Sequence, residues 1–230
     1  MAPYSHSRAT LLKPFLLAVL LVAILLAAQD KVVHSHSWLD CSNTLPSGQC
    51  VGFPIGYPSR ANPDINTLYT YLISGRPKNA PVCQPGRQDV FPPKNQPKQF
   101  PSAKVYAGQA LDLTWQANGH MDFIDPANKA APRTRVGVYW TGKPNKVLRT
   151  RKQLTKMTLL RSMDFATSAN CDDPANPNTV CHGKITIPKG TKPGKYQLVW
   201  WWRFDKNPVG EEYTTCFEVN VQAPKAKSKN

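Results

Sequence analysis

The sequence lacks the short motifs that mark several large enzyme classes. It has no GxSxG, no HExxH and no phosphate-binding loop, and no pair of carboxylates lies in a context typical of a glycosidase acid and base. Histidine is also scarce, with five among the 230 residues. Conventional hydrolysis therefore has little support.

A hydrophobic run long enough to span a bilayer is missing as well. The longest apolar stretch, Phe15 to Ala28, has about fourteen residues where a membrane helix needs about 20. Arg8 and Lys13 precede it, which is the order of charge and apolar residues in a secretory signal peptide. We therefore predict a secreted, extracellular protein that is not associated with the membrane once this leader is removed.

The stretch VVHSHSWLDC after the apolar run contains the predicted cleavage site. Signal peptidase favours small residues at the first and third positions before the cut, and cutting before His36 places Ser35 and Val33 there. A cut before His34 would place a lysine at the third position, and a cut just after Ala28 would leave both histidines in an ordinary tail. The first alternative fits best, so we expect His36 to be the first residue of the mature protein.

Acidic residues are few in the predicted mature chain. Removal of Arg8, Lys13, Lys31 and Asp30 with the leader leaves 26 basic and 13 acidic residues, a net charge of +13. Nothing in the sequence resembles a nucleic-acid-binding module, and the leader directs the chain outside the cell. An extracellular polyanion such as an acidic polysaccharide suits both facts, the alternative being a merely soluble basic surface.

All six cysteines lie in the predicted mature chain, which predicts three disulfides in an oxidising compartment. Six cysteines allow about fifteen pairings. Proximity in sequence favours two short-range pairs, which leave a long-range pair between the loop region and the C-terminal part of the chain. The favoured pairs are Cys41 with Cys50, Cys171 with Cys181, and Cys83 with Cys216.

The chain divides by composition into a loop-rich part and a strand-rich part. Residues 42–104 are rich in Pro, Gly and Asn, and only Ile65 to Ile73 could form a short helix or strand. Beyond them, short β-branched and aromatic runs are separated by Gly/Pro turns, which predicts an all-β fold, an antiparallel β-sandwich with a long loop-rich insertion. The predicted strands are Ala110 to Gln116, Arg135 to Trp140, Gly183 to Ile187, Lys195 to Phe204 and Tyr213 to Val221.

Two segments and the domain boundaries carry more specific predictions. Alternation in Lys195 to Phe204 places Trp200 and Trp202 on one face and Trp201 on the other, which favours packing roles over a sugar-binding platform. Arg151 to Ala166 is expected to be a helical or irregular connection. We assign 1–35 to the signal peptide, 36–222 to one catalytic β-sandwich domain and 223–230 to a basic disordered tail.

Three residues together suggest a metal centre. An N-terminal His36 would offer its amine and its ring nitrogen, and His120, at the end of a predicted strand, would add a second imidazole. Three nitrogens in one plane suit the tetragonal preference of Cu(II), which also leads the divalent series for such ligands. Tyr213 in the last strand would lie on the axis as a distant or non-bonding oxygen, whereas His182, beside a cysteine in a polar loop, is expected to be a surface residue.

The order of these motifs resembles that of the lytic polysaccharide monooxygenases, which are copper enzymes with an immunoglobulin-like or fibronectin III-like β-sandwich. The resemblance rests on the histidine after the leader, AGQALDLTWQANGHM, IPKGTKPGKYQLVWWW and GEEYTTCFEVNV. It implies one copper per chain held by the histidine brace of His36 and His120, with Tyr213 at the axial position. Where many fungal members have Gln-x-Tyr, this chain has Glu211 at the position of the glutamine.

The HSWLDC start, the proline-rich cationic insertion and the basic surface are most similar to the small group, described from filamentous plant pathogens, that oxidises homogalacturonan (pectin). The resemblance implies a monomer that uses an external electron donor and hydrogen peroxide or dioxygen to oxidise C1 or C4 of a sugar. A non-catalytic copper-binding protein, a carbohydrate-binding module without metal, and activity on chitin or cellulose are the alternatives. The candidate contacts to galacturonate carboxylates are Arg60, Arg76, Lys78, Arg87 and Lys94.

Overall fold

The computed structural model describes residues 36–94, 96–121, 134–204 and 209–224, all of which lie in the unit Ser35–Asn230. Within these ranges the chain forms eleven β-strands and two short 3-10 segments, Pro63–Asn66 and Arg151–Gln153, and no α-helix. The strands are β1 (Leu39–Cys41), β2 (Asn43–Thr44), β3 (Cys50–Gly52), β4 (Tyr71–Ser74), β5 (Ala103–Tyr106), β6 (Ala110–Gln116), β7 (Arg135–Trp140), β8 (Leu159–Asp164), β9 (Val180–Thr186), β10 (Gly194–Phe204) and β11 (Glu211–Gln222).

Two sheets pack face to face around a shared core. Strands β1, β6 and β9 form a three-stranded sheet, while β4, β11, β10, β7 and β8 form the main sheet in that order. Strand β5 runs parallel to β11 at the edge of the main sheet, and the other pairings of both sheets are antiparallel. The core contains Leu113 and Trp115 from the small sheet and Trp200 and Phe217 from the main sheet. The predicted all-β sandwich of immunoglobulin-like type is confirmed.

Strands β10 and β11 present two different faces, which we call the inner and outer faces of the main sheet. On the inner face, Trp200 and Trp202 are completely buried in the core between the sheets. On the outer face, Val199 and Trp201 pack in a second cluster with Tyr139. The alternation predicted for this strand is therefore confirmed, because a period of two puts neighbouring residues on opposite faces.

The segment Arg151 to Ala166 differs from its prediction as a helical or irregular connection. Only Arg151–Gln153 forms a 3-10 turn, and β8 follows as the edge strand of the main sheet. The strand reads LLRSMD and lacks a regular apolar and polar alternation, and its pairing with β7 has a register shift between Val138 and Tyr139. Its pairing partner determines this strand more than its local sequence does.

The insertion covers the outer face and is held there by a disulfide. Cys83 in the insertion is bonded to Cys216 in β11, and the Ile55 amide donates to the Cys216 carbonyl at 3.0 Å. The other disulfides join Cys41 to Cys50 and Cys171 to Cys181, so all three pairs are those favoured from the sequence. The insertion also packs an aromatic cluster of its own with the N-terminal segment, formed by Trp38, Tyr57, Ile65 and Tyr69 with Phe53 and Phe100.

The predicted signal peptide at 1–35 lies outside the described residues, as do residues 225–230 of the predicted basic tail. Within the described ranges, we find no helix with the length and apolarity that a membrane crossing requires.

Candidate metal centre

The N-terminal segment of the described chain is held against the end of β6. Ser37 and Leu39 are buried, and the Ser37 hydroxyl donates to the Gln116 carbonyl at 3.1 Å. The Leu39 amide donates to the Thr215 hydroxyl of the main sheet at 3.2 Å. His36 precedes these contacts and is half-buried, and the segment that follows it brings it to the end of β6.

His120 lies in a tight turn directly after β6. Asn118 and Gly119 both have positive φ, at 46° and 80°, and the His120 amide donates to the Ala117 carbonyl at 2.9 Å. The Asn118 side-chain amide donates to the His36 carbonyl at 2.7 Å. The structure therefore brings the two predicted histidines to the same end of the sandwich. Asn118 is hydrogen-bonded to the backbone of His36 and lies two positions before His120.

Tyr213 approaches the same place from β11. Its ring centre lies 6.3 Å from that of His36 in an edge-on arrangement, and the side chain is almost completely buried. Burial raises the pKa of the Tyr213 phenol well above its usual value, and its hydrogen bond with Glu211 raises the pKa further. The phenol is therefore protonated and donates to Glu211 Oε2 at 2.9 Å.

Trp202 links two of these residues through ring contacts. Its ring lies 5.4 Å from that of His120 and stacks on that of Tyr213 at 5.3 Å, with 26° between the planes. Phe204 adds an edge-on contact to His120 at 5.1 Å. We call His36, His120 and Tyr213, with Glu211 behind the phenol, the candidate metal centre.

This donor set suits a nitrogen-preferring metal. The described residues contain no group of three or more His, Cys, Asp and Glu side chains that could hold a metal ion. The candidate centre offers two imidazoles and a phenol, and the third nitrogen in the predicted set is the His36 amine that signal cleavage would create. Two imidazoles and one amine are the ligand types that bind Cu(II) well.

Sequence reasoning missed two residues of this region. Asn118 belongs to an Asn-Gly pair, and such a pair signals a turn with positive φ, so its backbone conformation was predictable. Its bond to His36 was not, since the two residues are separated by 82 positions. Trp202 was predicted as a core residue, and it is one, but it also contacts His120 and Tyr213.

Arg60 lies close to the N-terminal segment and is engaged in an ion-pair network. It forms a bidentate pair with Asp40, and its Nη1 donates to Gln116 Oε1 at 2.6 Å. Its guanidinium also lies over the ring of Trp38 at 4.7 Å. Asp40 further accepts from Trp38 Nε1 at 2.9 Å and from the hydroxyl of Tyr57 at 3.3 Å. Burial raises the pKa of Asp40 against the opposing effect of Arg60.

Arg87 is engaged in the same way within the insertion. Its Nη2 donates to Asp64 Oδ2 at 2.6 Å, and its guanidinium lies 5.8 Å from the ring of Tyr69. Arg87 and the exposed Lys94 also line a cavity of about 280 Å³ within the insertion, with Ile55 on its wall.

Arg76 and Lys78 lie at the end of the main sheet where β4 meets the start of β11. Arg76 Nε is 3.7 Å from Glu212 Oε1, and Arg203 Nε is 4.0 Å from the same oxygen. Glu212 is completely buried and accepts a two-pronged bond from Arg151, at 2.5 and 2.7 Å. Lys78 is exposed, and its carbonyl accepts from the amide of the neighbouring 3-10 segment at 2.9 Å.

His182 is exposed and pairs with Asp172, with 2.8 Å between Nε2 and Oδ1. It lies on strand β9 and not in the polar loop that was predicted, but its position at the surface agrees with the prediction.

Comparison with known proteins gives a family and a set of distant structural neighbours. Residues 33–158 and 150–230 match the family described as a domain of unknown function (DUF7492). No curated protein matches the sequence.

Among solved structures, the chain is similar to a lytic polysaccharide monooxygenase from Jonesia denitrificans, with 14% identity, 64% of this chain and 75% of that chain covered, and a TM-score of 0.33. It is also similar to one important for the utilisation of chitin in Cellvibrio japonicus, with 18% identity, 72% and 74% coverage and a TM-score of 0.34. A third is a CBM33 protein from Bacillus amyloliquefaciens in complex with Cu(I), with 14% identity, 64% and 72% coverage and a TM-score of 0.36. At TM-scores below 0.5, these likenesses transfer no residue and no activity to this chain.

Proposed function

This chain belongs to the DUF7492 family, and we propose that it is a secreted, copper-dependent lytic polysaccharide monooxygenase. The observation that carries the proposal is the meeting of His36, His120 and Tyr213 at one end of the sandwich, where one side chain, Asn118, contacts the backbone of His36 two positions before His120. In this proposal the ligands of the copper are the amine and ring of His36 and the ring of His120.

Each residue of the centre has a distinct task. Bound copper supplies the one-electron redox chemistry with which hydrogen peroxide, or dioxygen with an external electron donor, oxidises a C–H bond of a sugar. His36 and His120 bind the metal, and the rings of Trp202 and Phe204 restrict the movement of the His120 imidazole. Tyr213 fills the space beside His36 and keeps its proton, because the phenol donates a hydrogen bond to Glu211.

The atoms balance with either co-substrate. Peroxide gives one oxygen atom to the sugar C–H bond and leaves as water, whereas dioxygen also needs two electrons and two protons from outside. The hydroxylated carbon then eliminates and breaks the glycosidic bond. The two histidines lie at the end of the sandwich and are only half-buried, so a polymer chain would have access to them.

The proposed substrate is an acidic cell-wall polysaccharide, homogalacturonan. The +13 charge of the mature chain favours a polymer that carries carboxylates. This attraction falls with salt, because the screening length is about 8 Å at physiological ionic strength. Arg60, Arg76 and Arg87 each lie in an ion pair with a carboxylate, whereas the Lys78 and Lys94 side chains are exposed. We therefore expect Lys78 and Lys94 to contribute more to polymer binding.

The deciding experiment uses protein that begins at His36, verified by N-terminal sequencing and loaded with one copper. With ascorbate and peroxide it should release oxidised oligogalacturonides from polygalacturonate, detected by mass spectrometry, with chitin and cellulose tested in parallel. His120→Ala, and a variant with one extra residue ahead of His36, should lose both copper binding and product. His182→Ala is the matched control and should retain both.

The outcomes separate the alternatives. Full copper loading without any oxidised product would make the protein a non-catalytic copper-binding protein. Polymer binding without tight copper binding would make it a carbohydrate-binding module. Oxidised products from chitin or cellulose alone, or pectate binding that does not change with salt, would contradict the acidic substrate.

A further inference from the structure

The two histidines of the candidate centre lie on chain segments that are far apart in sequence. His36 precedes β1 and His120 follows β6, and the two strands pair at Leu39 with Trp115 and at Cys41 with Thr114. Two hydrogen bonds extend this pairing. The Ser37 hydroxyl donates to the Gln116 carbonyl at the end of β6 at 3.1 Å, and the Asn118 side-chain amide donates to the His36 carbonyl at 2.7 Å. The second bond reaches the histidine itself.

Asn118 also shapes the turn that carries His120. Its φ of 46° lies in the left-handed region, which glycine adopts without steric cost and asparagine adopts more readily than most other residues. The next residue, Gly119, donates its amide to the Pro177 carbonyl at 2.7 Å, and the His120 amide returns to the Ala117 carbonyl at 2.9 Å. The turn is therefore fixed to β6 and to the loop before β9, so the Asn118 side chain extends from a rigid base.

We infer that Asn118 is a positioning residue that couples the two candidate copper ligands. An N-terminal residue is usually poorly ordered unless it is tied down. The bond from Asn118 holds the His36 backbone beside the turn that ends at His120, so that the amine and both rings are in place before metal binds. This role rests on the proposed function, because it concerns the same copper centre.

The expected size of the effect follows from a single hydrogen bond. Such a bond to a neutral carbonyl contributes about 1 kcal/mol, which corresponds to about 5-fold in a binding constant. We expect the effect on copper affinity to be about 5- to 10-fold, since greater freedom of His36 also weakens the preorganisation of its amine and its ring together.

The test compares two substitutions of the same kind. Asn118→Gly keeps a residue that adopts positive φ and removes the side-chain amide. Asn145→Gly makes the same change at another asparagine with positive φ, 57°, whose backbone amide donates to the Lys195 carbonyl at 2.9 Å and is kept in the variant. Both are made in protein that begins at His36. The measurements are the Cu(II) dissociation constant by competition titration, the EPR spectrum of the Cu(II) protein, and the Tm without metal.

Asn118→Gly should weaken copper binding about 5- to 10-fold and change the EPR parameters, while Asn145→Gly should stay within about twofold of the wild type with an unchanged spectrum. A similar fall in Tm for both variants would show that general destabilisation does not explain the difference. Tight wild-type binding with the same dissociation constant and spectrum in Asn118→Gly would overturn this inference and leave the proposed function standing. Failure of the wild type to bind copper despite a free His36 would overturn both.

Discussion

The two faces of β10 and β11 are both buried, yet they are stabilised by different interactions. The inner face is a continuous layer of rings, in which Trp202 stacks on Phe165 at 3.8 Å and contacts both Tyr213 and His120. The outer face carries the Cys83–Cys216 disulfide and the buried carboxylate Glu212. Ring packing therefore supports the candidate centre, whereas covalent and ionic contacts attach the insertion. Substitutions on the outer face should lower stability with little effect on copper binding. Substitutions near the candidate metal centre should alter copper binding with little effect on stability.

The largest effect is expected from removal of the long-range disulfide. Replacing Cys83 and Cys216 together by alanine should lower the free energy of unfolding by about 5 kcal/mol, because the bond closes a loop with a sequence separation of 133 residues. Urea unfolding would measure the loss. Copper affinity, measured below the transition, should be unchanged because the inner face is intact.

The Cys171–Cys181 disulfide is the matched control, since it closes a separation of only 10 residues on the inner side of the fold. Its removal should cost about 3 kcal/mol by the same relation. Equal losses for the two disulfides would mean that the long bond does not restrict the unfolded chain as proposed. A large loss of copper affinity on removal of Cys83–Cys216 would contradict the separation of the two faces.

The next effect concerns the buried carboxylate of the outer face. Glu212→Gln keeps the shape of the side chain but removes the charge that Arg151 grips, so a half-buried guanidinium loses its ionic partner. We expect a fall of about 3 kcal/mol in the free energy of unfolding. This value is at the lower end of the range for buried ion pairs that lose one partner, because the arginine is partly exposed. The measurement is again urea unfolding, with the copper dissociation constant as the second readout.

Asp112→Asn makes the same chemical change in the Lys184–Asp112 pair, which is largely exposed. It should alter the free energy of unfolding by less than about 1 kcal/mol. If Glu212→Gln lowered the free energy of unfolding no more than this control, the ion pairs of Glu212 with the arginines around it would not stabilise the outer face.

The smallest stability effect is expected on the inner face, at the phenol of Tyr213. Tyr213→Phe removes the hydrogen bond to Glu211 and should lower the free energy of unfolding by about 1 kcal/mol. The same substitution should change the EPR spectrum of the Cu(II) protein, because the phenol lies beside His36 in the candidate centre.

Tyr196→Phe is the control for this change, since its hydroxyl donates to the Lys192 carbonyl at 2.8 Å from a position on the same face. It should cost about the same in stability and leave the spectrum unaltered. An unaltered spectrum in Tyr213→Phe would remove Tyr213 from the proposed copper centre.

Much of the fold could be predicted because its strands carry strong local signals. In β10 the alternation of large residues assigns both faces, and the turn signals on either side limit the strand. Strand β8 was missed because its sequence, LLRSMD, has no such alternation, and its state depends on pairing with β7. Strand β11 begins at Glu211, two residues before the predicted start, so the glutamate that accepts from Tyr213 lies within the strand.

The candidate centre was partly predictable for a similar reason. His120 was predicted from its place at the end of a predicted strand, and His36 from the residues expected before a signal cleavage. The partners of the arginines could not be read from the sequence, because Asp40 lies 20 positions before Arg60 and Asp64 lies 23 positions before Arg87. The first contact forms only when the insertion folds over the N-terminal segment, and the second only when the insertion folds on itself.

The burial of the N-terminal segment has a consequence for the order of events during secretion. Ser37, Trp38 and Leu39 are at most 1% exposed, and they begin one residue after the Ser35–His36 bond that signal peptidase is proposed to cut. A protease needs accessible backbone on both sides of its target bond, and on the C-terminal side the buried segment of the folded domain does not provide it. The leader would therefore have to leave while the chain is still unfolded. A residue left ahead of His36 at that moment would stay there for the lifetime of the molecule.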